Sequence, residues 1–380
     1  MRMSLKLIIL AGFLTVQASE LFSNDGIAKN DSPFSFRASY TGDLVRNFRG
    51  GLKKGTTYLG LAYLNAGFDT EKAGFWNGGE LFVNVGNTHG GEPTANLVGD
   101  FQGISNIEAG DLTFLYELWY RQSIHDFTIT LGLQDLNASF AASEYGGFFL
   151  NSSFGIHSIF ADNIPSPIFP LTALGVSLQW DISGKYMLQA AAFDGAPDDF
   201  EANQYNTRWK LNKNDGVLLI TEFQAAQSLI PDKTGSYKVG AYYHEHKTEA
   251  DVSVDNYGFY LVADQQIYKE RNGEGSLSLF TQIGLSPKDK NEHNHYIGFG
   301  AVYKGLLNKR PDDELGIALA CACFDNSTIE SEKVLEFSYQ AQLTENIYLK
   351  PDFQYVINPA GTDQILENAI VGFIRAGIEF

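Results

Sequence analysis

Ala369-Ile370-Val371-Gly372-Phe373-Ile374-Arg375-Ala376-Gly377-Ile378-Glu379-Phe380 is the stretch on which the fold turns. Ile370, Gly372, Ile374, Ala376, Ile378 and Phe380 fall on one face of a strand, and the last of them is an aromatic residue at the end of the chain. A strand of this kind has an obvious partner only if the first strand of the same sheet comes round to meet it. Unpaired backbone groups are not tolerated in hydrocarbon, so a sheet in lipid must close on itself. A closing strand that ends in Phe380 also has the form of an assembly signal for outer-membrane barrels.

The same period-two pattern recurs upstream. Phe127, Ile129, Leu131 and Leu133 alternate with Thr128, Thr130, Gly132 and Gln134. Leu335, Phe337, Tyr339, Ala341 and Leu343 alternate with Glu336, Ser338, Gln340 and Gln342, and after three residues Ile347, Leu349, Pro351, Phe353 and Tyr355 continue the pattern. Leu112, Phe114, Tyr116, Leu118 and Tyr120 are expected on one face, with Glu117, Trp119 and Arg121 on the other. About sixteen strands are expected, beginning near Phe34, Thr56, Gly79, Leu112, Phe127, Leu174, Tyr186, Gly216, Ser236, Asn256, Gly275, His295, Glu314, Val334, Ile347 and Ala369. The segment around Arg208 and Trp209 is a further, weaker candidate. An even number of nine- to twelve-residue strands with a polar second face predicts an all-β, transmembrane, antiparallel up-and-down barrel.

Connections between these strands alternate in length. Residues 122–126, 181–185 and 344–346 are short, while 87–111, 136–173, 195–215 and 358–368 are long. With both chain ends in the periplasm, the long ones face outward from the cell. The segment 136–173 contains Phe140, Tyr145, Phe148, Phe149, Phe154, Phe160 and Phe169. So apolar a loop is expected to fold into the lumen and narrow it.

Composition agrees with this reading. The chain has 380 residues with 28 Phe, 19 Tyr and 38 Gly against 3 Met, a bias toward strands and turns. Arg2 and Lys6 precede an apolar run from Leu7 to Val16, and Val16-Gln17-Ala18 offers a small-x-small cleavage site, so residues 1–18 read as a signal peptide and residues 19–380 as one barrel domain. Only two cysteines, Cys321 and Cys323, are present, and on a strand they point the same way, so no disulfide framework is expected. The formal net charge of −18 argues against nucleic acid as a partner. No catalytic motif, phosphate-binding loop or metal-ligand spacing is found, and neither enzymatic activity nor a cofactor is expected. His293, Asn294 and His295 sit in a charged stretch that reads as an exposed loop, and His244 and His246 in a similar loop edge.

By parity the inner face would carry Arg37, Glu80, Asn84, Glu117, Trp119, Arg121, Gln134, Gln179, Glu222, Asp264, Gln282, Glu336, Lys350, Asp352, Gln354 and Arg375. Both charge signs and amides occur, which suits polar solutes better than ions of one sign. Glu117, Trp119 and Arg121 are the candidates for pore and sugar contact. Their two-residue spacing places neighbours roughly 6–7 Å apart, near the width of a pyranose ring, with the indole expected to serve as a sliding surface. A wall ion pair with a space-filling tryptophan is the competing arrangement.

Several segments carry a resemblance. Val98-Gly99-Asp100-Phe101-Gln102-Gly103-Ile104-Ser105-Asn106-Ile107, Leu115-Tyr116-Glu117-Leu118-Trp119-Tyr120, Gly132-Leu133-Gln134-Asp135-Leu136-Asn137, Phe149-Leu150-Asn151-Ser152-Ser153-Phe154-Gly155 and Pro351-Asp352-Phe353-Gln354-Tyr355-Val356-Ile357-Asn358-Pro359 resemble the carbohydrate-selective porin family typified by OprB. The resemblance implies a sixteen-stranded outer-membrane barrel for passive diffusion of glucose and related sugars, without cofactor or energy input. Its partners would be small sugars, outer-membrane lipids and the barrel-assembly machinery. A general, weakly selective porin and a secreted all-β carbohydrate-binding protein are the alternatives.

Overall fold

The computed structural model describes residues 32–247, 252–271, 275–307, 309–325 and 328–380. The expected signal peptide lies outside the described residues. Sixteen strands follow in chain order: β1 Phe34–Arg49, β2 Gly55–Asp69, β3 Gly79–Gly90, β4 Leu112–Ile124, β5 Phe127–Gln134, β6 Ala173–Asp181, β7 Tyr186–Asp194, β8 Val217–Ala225, β9 Gly235–Lys247, β10 Ser253–Lys269, β11 Ser276–Leu285, β12 His293–Lys304, β13 Glu314–Phe324, β14 Ser331–Thr344, β15 Ile347–Ile357 and β16 Ala369–Glu379. Every strand pairs antiparallel with its chain neighbours, and β1 pairs with β16 to close the barrel. In that seam Ser39 faces Glu379, Gly42 faces Ala376 and Leu44 faces Ile374. Beyond the last strand, Phe380 N donates to Ala38 O at 2.9 Å and Ala38 N donates to Phe380 O at 3.2 Å.

Alternation sorts the side chains. In β16 Val371, Phe373 and Arg375 are buried inside while Ile374 is exposed outside, and Leu44, Phe299, Ile317, Phe337 and Phe353 extend the outward apolar surface round the barrel. Such a surface is stable only against lipid.

β4 departs from the expected alternation. Asn84 pairs with Glu117 but Val85 pairs with Leu115, so Tyr116 is the extra residue of a β-bulge. The bulge reverses the parity below it: Phe114 and Tyr116 are buried inside, whereas Leu118 is exposed outside. Arg208 and Trp209 form no strand. Asn203 Nδ2 donates to Arg208 O at 2.8 Å and Trp209 Nε1 to Asn206 O at 2.9 Å, tying them into an irregular loop. His293–His295 begin β12 instead of an exposed loop, and His293 is buried. His244 and His246 likewise lie within β9.

At the barrel end that carries Phe380, connections 125–126, 182–185 and 345–346 are short, but 70–78, 226–234 and 305–313 are longer. The opposite end holds 91–111, 135–172, 195–216 and 358–368. Two of these loops form the core. Segment 135–172, with short helices α1 Ser152–Gly155 and α2 Ser158–Ala161, buries Leu136, Phe140, Phe149, Phe154 and Phe160 against inward residues of β7–β13 such as Phe193, Tyr260 and Phe280. Segment 91–111 buries Val98, Ile104 and Ile107 with Val45, Val334, Val356 and Phe373 of β1, β14, β15 and β16. The interior is therefore filled from two sides.

Candidate functional site

The walls β3, β4 and β5 carry the residues singled out for solute contact. Arg121 lies with its guanidinium carbon 4.3 Å from the Trp119 ring centroid, its Nη1 3.5 Å from Glu80 Oε2, and its Nε within 3.4 Å of Thr130 Oγ1. Trp119 Nε1 donates to Glu117 Oε1 at 3.1 Å. Glu80, Glu117, Trp119 and Arg121 thus form one connected group, brought side by side because Glu80 pairs with Arg121 and Asn84 with Glu117 across β3 and β4.

Trp119 does not offer its indole to the lumen. It is 4 % exposed, stacked on Phe82 at 4.9 Å and covered by Arg121. Rings in register on neighbouring strands pair with each other before they pair with a solute. Side chains that keep solvent access here include Glu80, Glu117 and Arg121 on β3 and β4 and Arg37, Asn65 and Gln179 on the flanking strands β1, β2 and β6, all partly buried. Just behind them Tyr116 stacks on Tyr63 at 5.4 Å and donates its hydroxyl to Asp135 Oδ2 at 2.7 Å. Burial pushes the Asp135 carboxyl, at the base of the loop, up to about 6.

The remaining inward residues have a different occupation. Glu222 accepts from Ala141 N, Tyr260 Oη and Gln189 Nε2, each at 2.8 Å, and from Gln224 Nε2 at 2.6 Å. Asp264 accepts from Ser143 Oγ at 2.6 Å and from the amides of Glu144 and Tyr145. Glu336 accepts from the amides of Leu150 at 2.5 Å and Asn151 at 3.1 Å. Lys350 Nζ donates to Phe148 O at 2.5 Å and stands 3.9 Å from that ring. Each of these residues points inward, but it meets loop 135–172 and not open lumen. Asp352 accepts from Ser338 Oγ beside Glu336, and Gln354 Nε2 donates to Ile104 O at 2.8 Å.

Loop 91–111 is held in the same manner. Arg375 Nε and Nη2 grip Asp43 at 2.7 and 2.8 Å, and Ser105 Oγ donates to Asp43 Oδ2 at 2.8 Å. Glu332 accepts from Phe101 N at 2.7 Å and Gln102 N at 3.0 Å. Sequence reasoning missed this second inward loop. Its signal was the apolar set Leu97, Val98, Phe101, Ile104 and Ile107 in an otherwise mostly polar connection.

What the arrangement can do is pass polar solutes along one mixed-charge wall while two pinned loops restrict the bore. Paired charges of both signs give no strong preference for one ion sign, yet supply donors and acceptors to replace hydration. Among the described residues no cluster of His, Cys, Asp or Glu suits a metal ion.

Comparison with known proteins agrees with this geometry. Residues 53–380 match the family described as "Carbohydrate-selective porin, OprB family". Porin B of Pseudomonas aeruginosa is 23% identical over 406 residues, covering 90% of this chain and 86% of that protein. The putative porin QuiX of Acinetobacter baylyi is 21% identical over 397 residues, covering 89% of this chain and 88% of that protein. The high-pH structure of Pseudomonas putida OprB superposes with a TM-score of 0.82 at 19% identity, covering 92% of this chain and 94% of that one. The chain belongs to the carbohydrate-selective OprB porin family, and it is a sixteen-stranded β-barrel protein of the Gram-negative outer membrane.

Proposed function

We propose that this barrel conducts neutral sugars such as glucose by passive diffusion, with no bond made or broken and no cofactor. The observation that carries the reading is the Glu80–Arg121–Glu117 group, solvent-accessible along β3 and β4 opposite a lumen otherwise filled by pinned loops. A sugar hydroxyl donates to the Glu80 or Glu117 carboxyl and accepts from the Arg121 guanidinium, exchanging one hydration partner for another at each step. Each contact stays weak because these groups also serve one another. Trp119 acts as a positioning residue that holds Arg121 flat against the wall.

Liposome swelling with a panel of sugars and amino acids of matched size tests the proposal. Faster swelling with glucose than with a zwitterionic amino acid of similar mass is expected. Equal rates would mean a general, weakly selective porin and would refute sugar preference.

A further inference from the structure

Across the barrel from the Glu80–Arg121 wall, at the end where the long loops gather, lies a cavity of about 560 Å³. That volume is within the roughly 300–1,000 Å³ of small-molecule sites. It is bounded by loops 91–111, 135–172, 286–292 and 358–368, by residues 328–329 and by the ends of β12 and β13, and none of its residues belongs to the wall assigned to conduction.

Its apolar corner consists of Phe101 and Phe324, packed edge to face with centroids 4.9 Å apart and planes at 86°. His293 backs both rings at 5.2 and 5.5 Å. The imidazole is itself fixed, its Nε2 2.8 Å from Ser158 Oγ and its Nδ1 3.1 Å from Cys323 O, so the corner is rigid before any ligand arrives. Around it stand the carboxyl groups of Asp162, Glu292 and Asp363 and the hydroxyls of Thr328 and Thr362. Lys290, the cation in the lining, is engaged by Asp255 at 2.8 Å. Asp162 is exposed at the edge of the cavity, where its carboxyl is available to accept hydrogen bonds.

We infer that this cavity is a docking site for a neutral saccharide, which would set one ring on Phe101 and Phe324 and hydrogen-bond its hydroxyls to Asp162, Glu292 and Asp363. A rigid aromatic corner ringed by acceptors, without an unengaged cation, suits an uncharged polyol and repels acidic sugars. The identity of the ligand rests on the sugar-channel reading; the site does not. Its role would be to concentrate sugar at the mouth ahead of the conducting wall.

The test is isothermal titration of the detergent-solubilised barrel with maltotriose, alongside liposome swelling with glucose. The intact protein is expected to bind, and Asp162→Ala and Phe324→Leu to weaken binding at least tenfold each while glucose swelling at saturating concentration is unchanged. Heat-modifiable migration on gels verifies that both variants are folded barrels. Arg121→Gln is expected to leave maltotriose binding intact. The docking site is wrong if maltotriose does not bind, if binding survives both cavity variants, if it is lost in Arg121→Gln, or if an amine such as choline binds more tightly. Maltotriose binding without sugar-selective swelling would instead overturn the channel reading and leave the site standing.

Discussion

Replacing Glu222 by Ala should unseat the first turn of loop 135–172. The Glu222 carboxyl is 1 % exposed and takes four donors, among them the amide of Ala141, a residue at φ 57° whose backbone has no regular secondary structure to satisfy it. Leaving a buried donor without an acceptor costs about 1–3 kcal/mol. Tyr260 and Gln224 belong to the wall and can turn toward other partners or water, whereas the Ala141 amide stays buried only while the loop stays docked. Removing one member of a buried charged network costs about 3–5 kcal/mol as a whole. At about 1.4 kcal/mol per tenfold, the Ala141 amide should exchange its hydrogen roughly 10² to several times 10³ times faster in Glu222→Ala. Hydrogen exchange on the folded, heat-modifiable barrel reads this directly, and single-channel conductance should rise as the segment is released. Unchanged protection at Ala141 in a folded Glu222→Ala barrel would refute the view that wall carboxyl groups hold the loop.

Other perturbations reach other parts of the molecule. Phe380→Asp should reduce assembled, heat-modifiable barrel severalfold, because it keeps the backbone bonds to Ala38 but replaces the exposed aromatic side chain at the end of the closing strand with a charge; normal yields of assembled barrel would contradict this. His157, wholly buried with neither ring nitrogen meeting a hydrogen-bond partner among the described residues, is pushed down to about 3 by burial. Its contribution is complete above pH 6.5 and is lost as pH falls toward 3, so docking of 152–161 should weaken by about 2 kcal/mol at pH 5, and His157→Phe should abolish that acid sensitivity in hydrogen exchange. Trp119→Ala should shift cation-to-anion permeability in planar bilayers by freeing Arg121 from its resting place, with a smaller effect on sugar flux; a selective collapse of sugar flux would show that the indole touches sugar after all.

The strands were legible because period-two alternation is a local property, and the expected starts fall within a few residues of the observed ones from Phe34 to Ala369. The bulge at Tyr116 was not, since an extra residue on one strand is visible only against the partner that lacks it. Parity also placed Glu222, Asp264, Glu336, Lys350 and Arg375 on the inner face. Whether such a residue meets water or a folded loop depends on contacts far away in sequence, 81 residues between Glu222 and Ala141 and 186 between Glu336 and Leu150. The aromatic content of 136–173 betrayed one inward loop, but 91–111 relies on four aliphatic residues and on acceptors supplied by β1 and β14, and nothing local announces those acceptors. Trp119 was placed correctly beside Glu117 and Arg121, yet Phe82 across the strand pair decided which surface of the ring remains available.

The way the large loop is fastened bears on how such a barrel can diversify. Glu222, Asp264, Glu336 and Lys350 grip main-chain amides and a carbonyl of residues 141–151, and Ser143 contributes the one side-chain bond among these grips. A clasp that recognises backbone is indifferent to much of what the backbone carries. The filter can therefore exchange residues facing the bore while its seating in the wall persists, so that the barrel acts as a fixed socket and the loop as a replaceable insert.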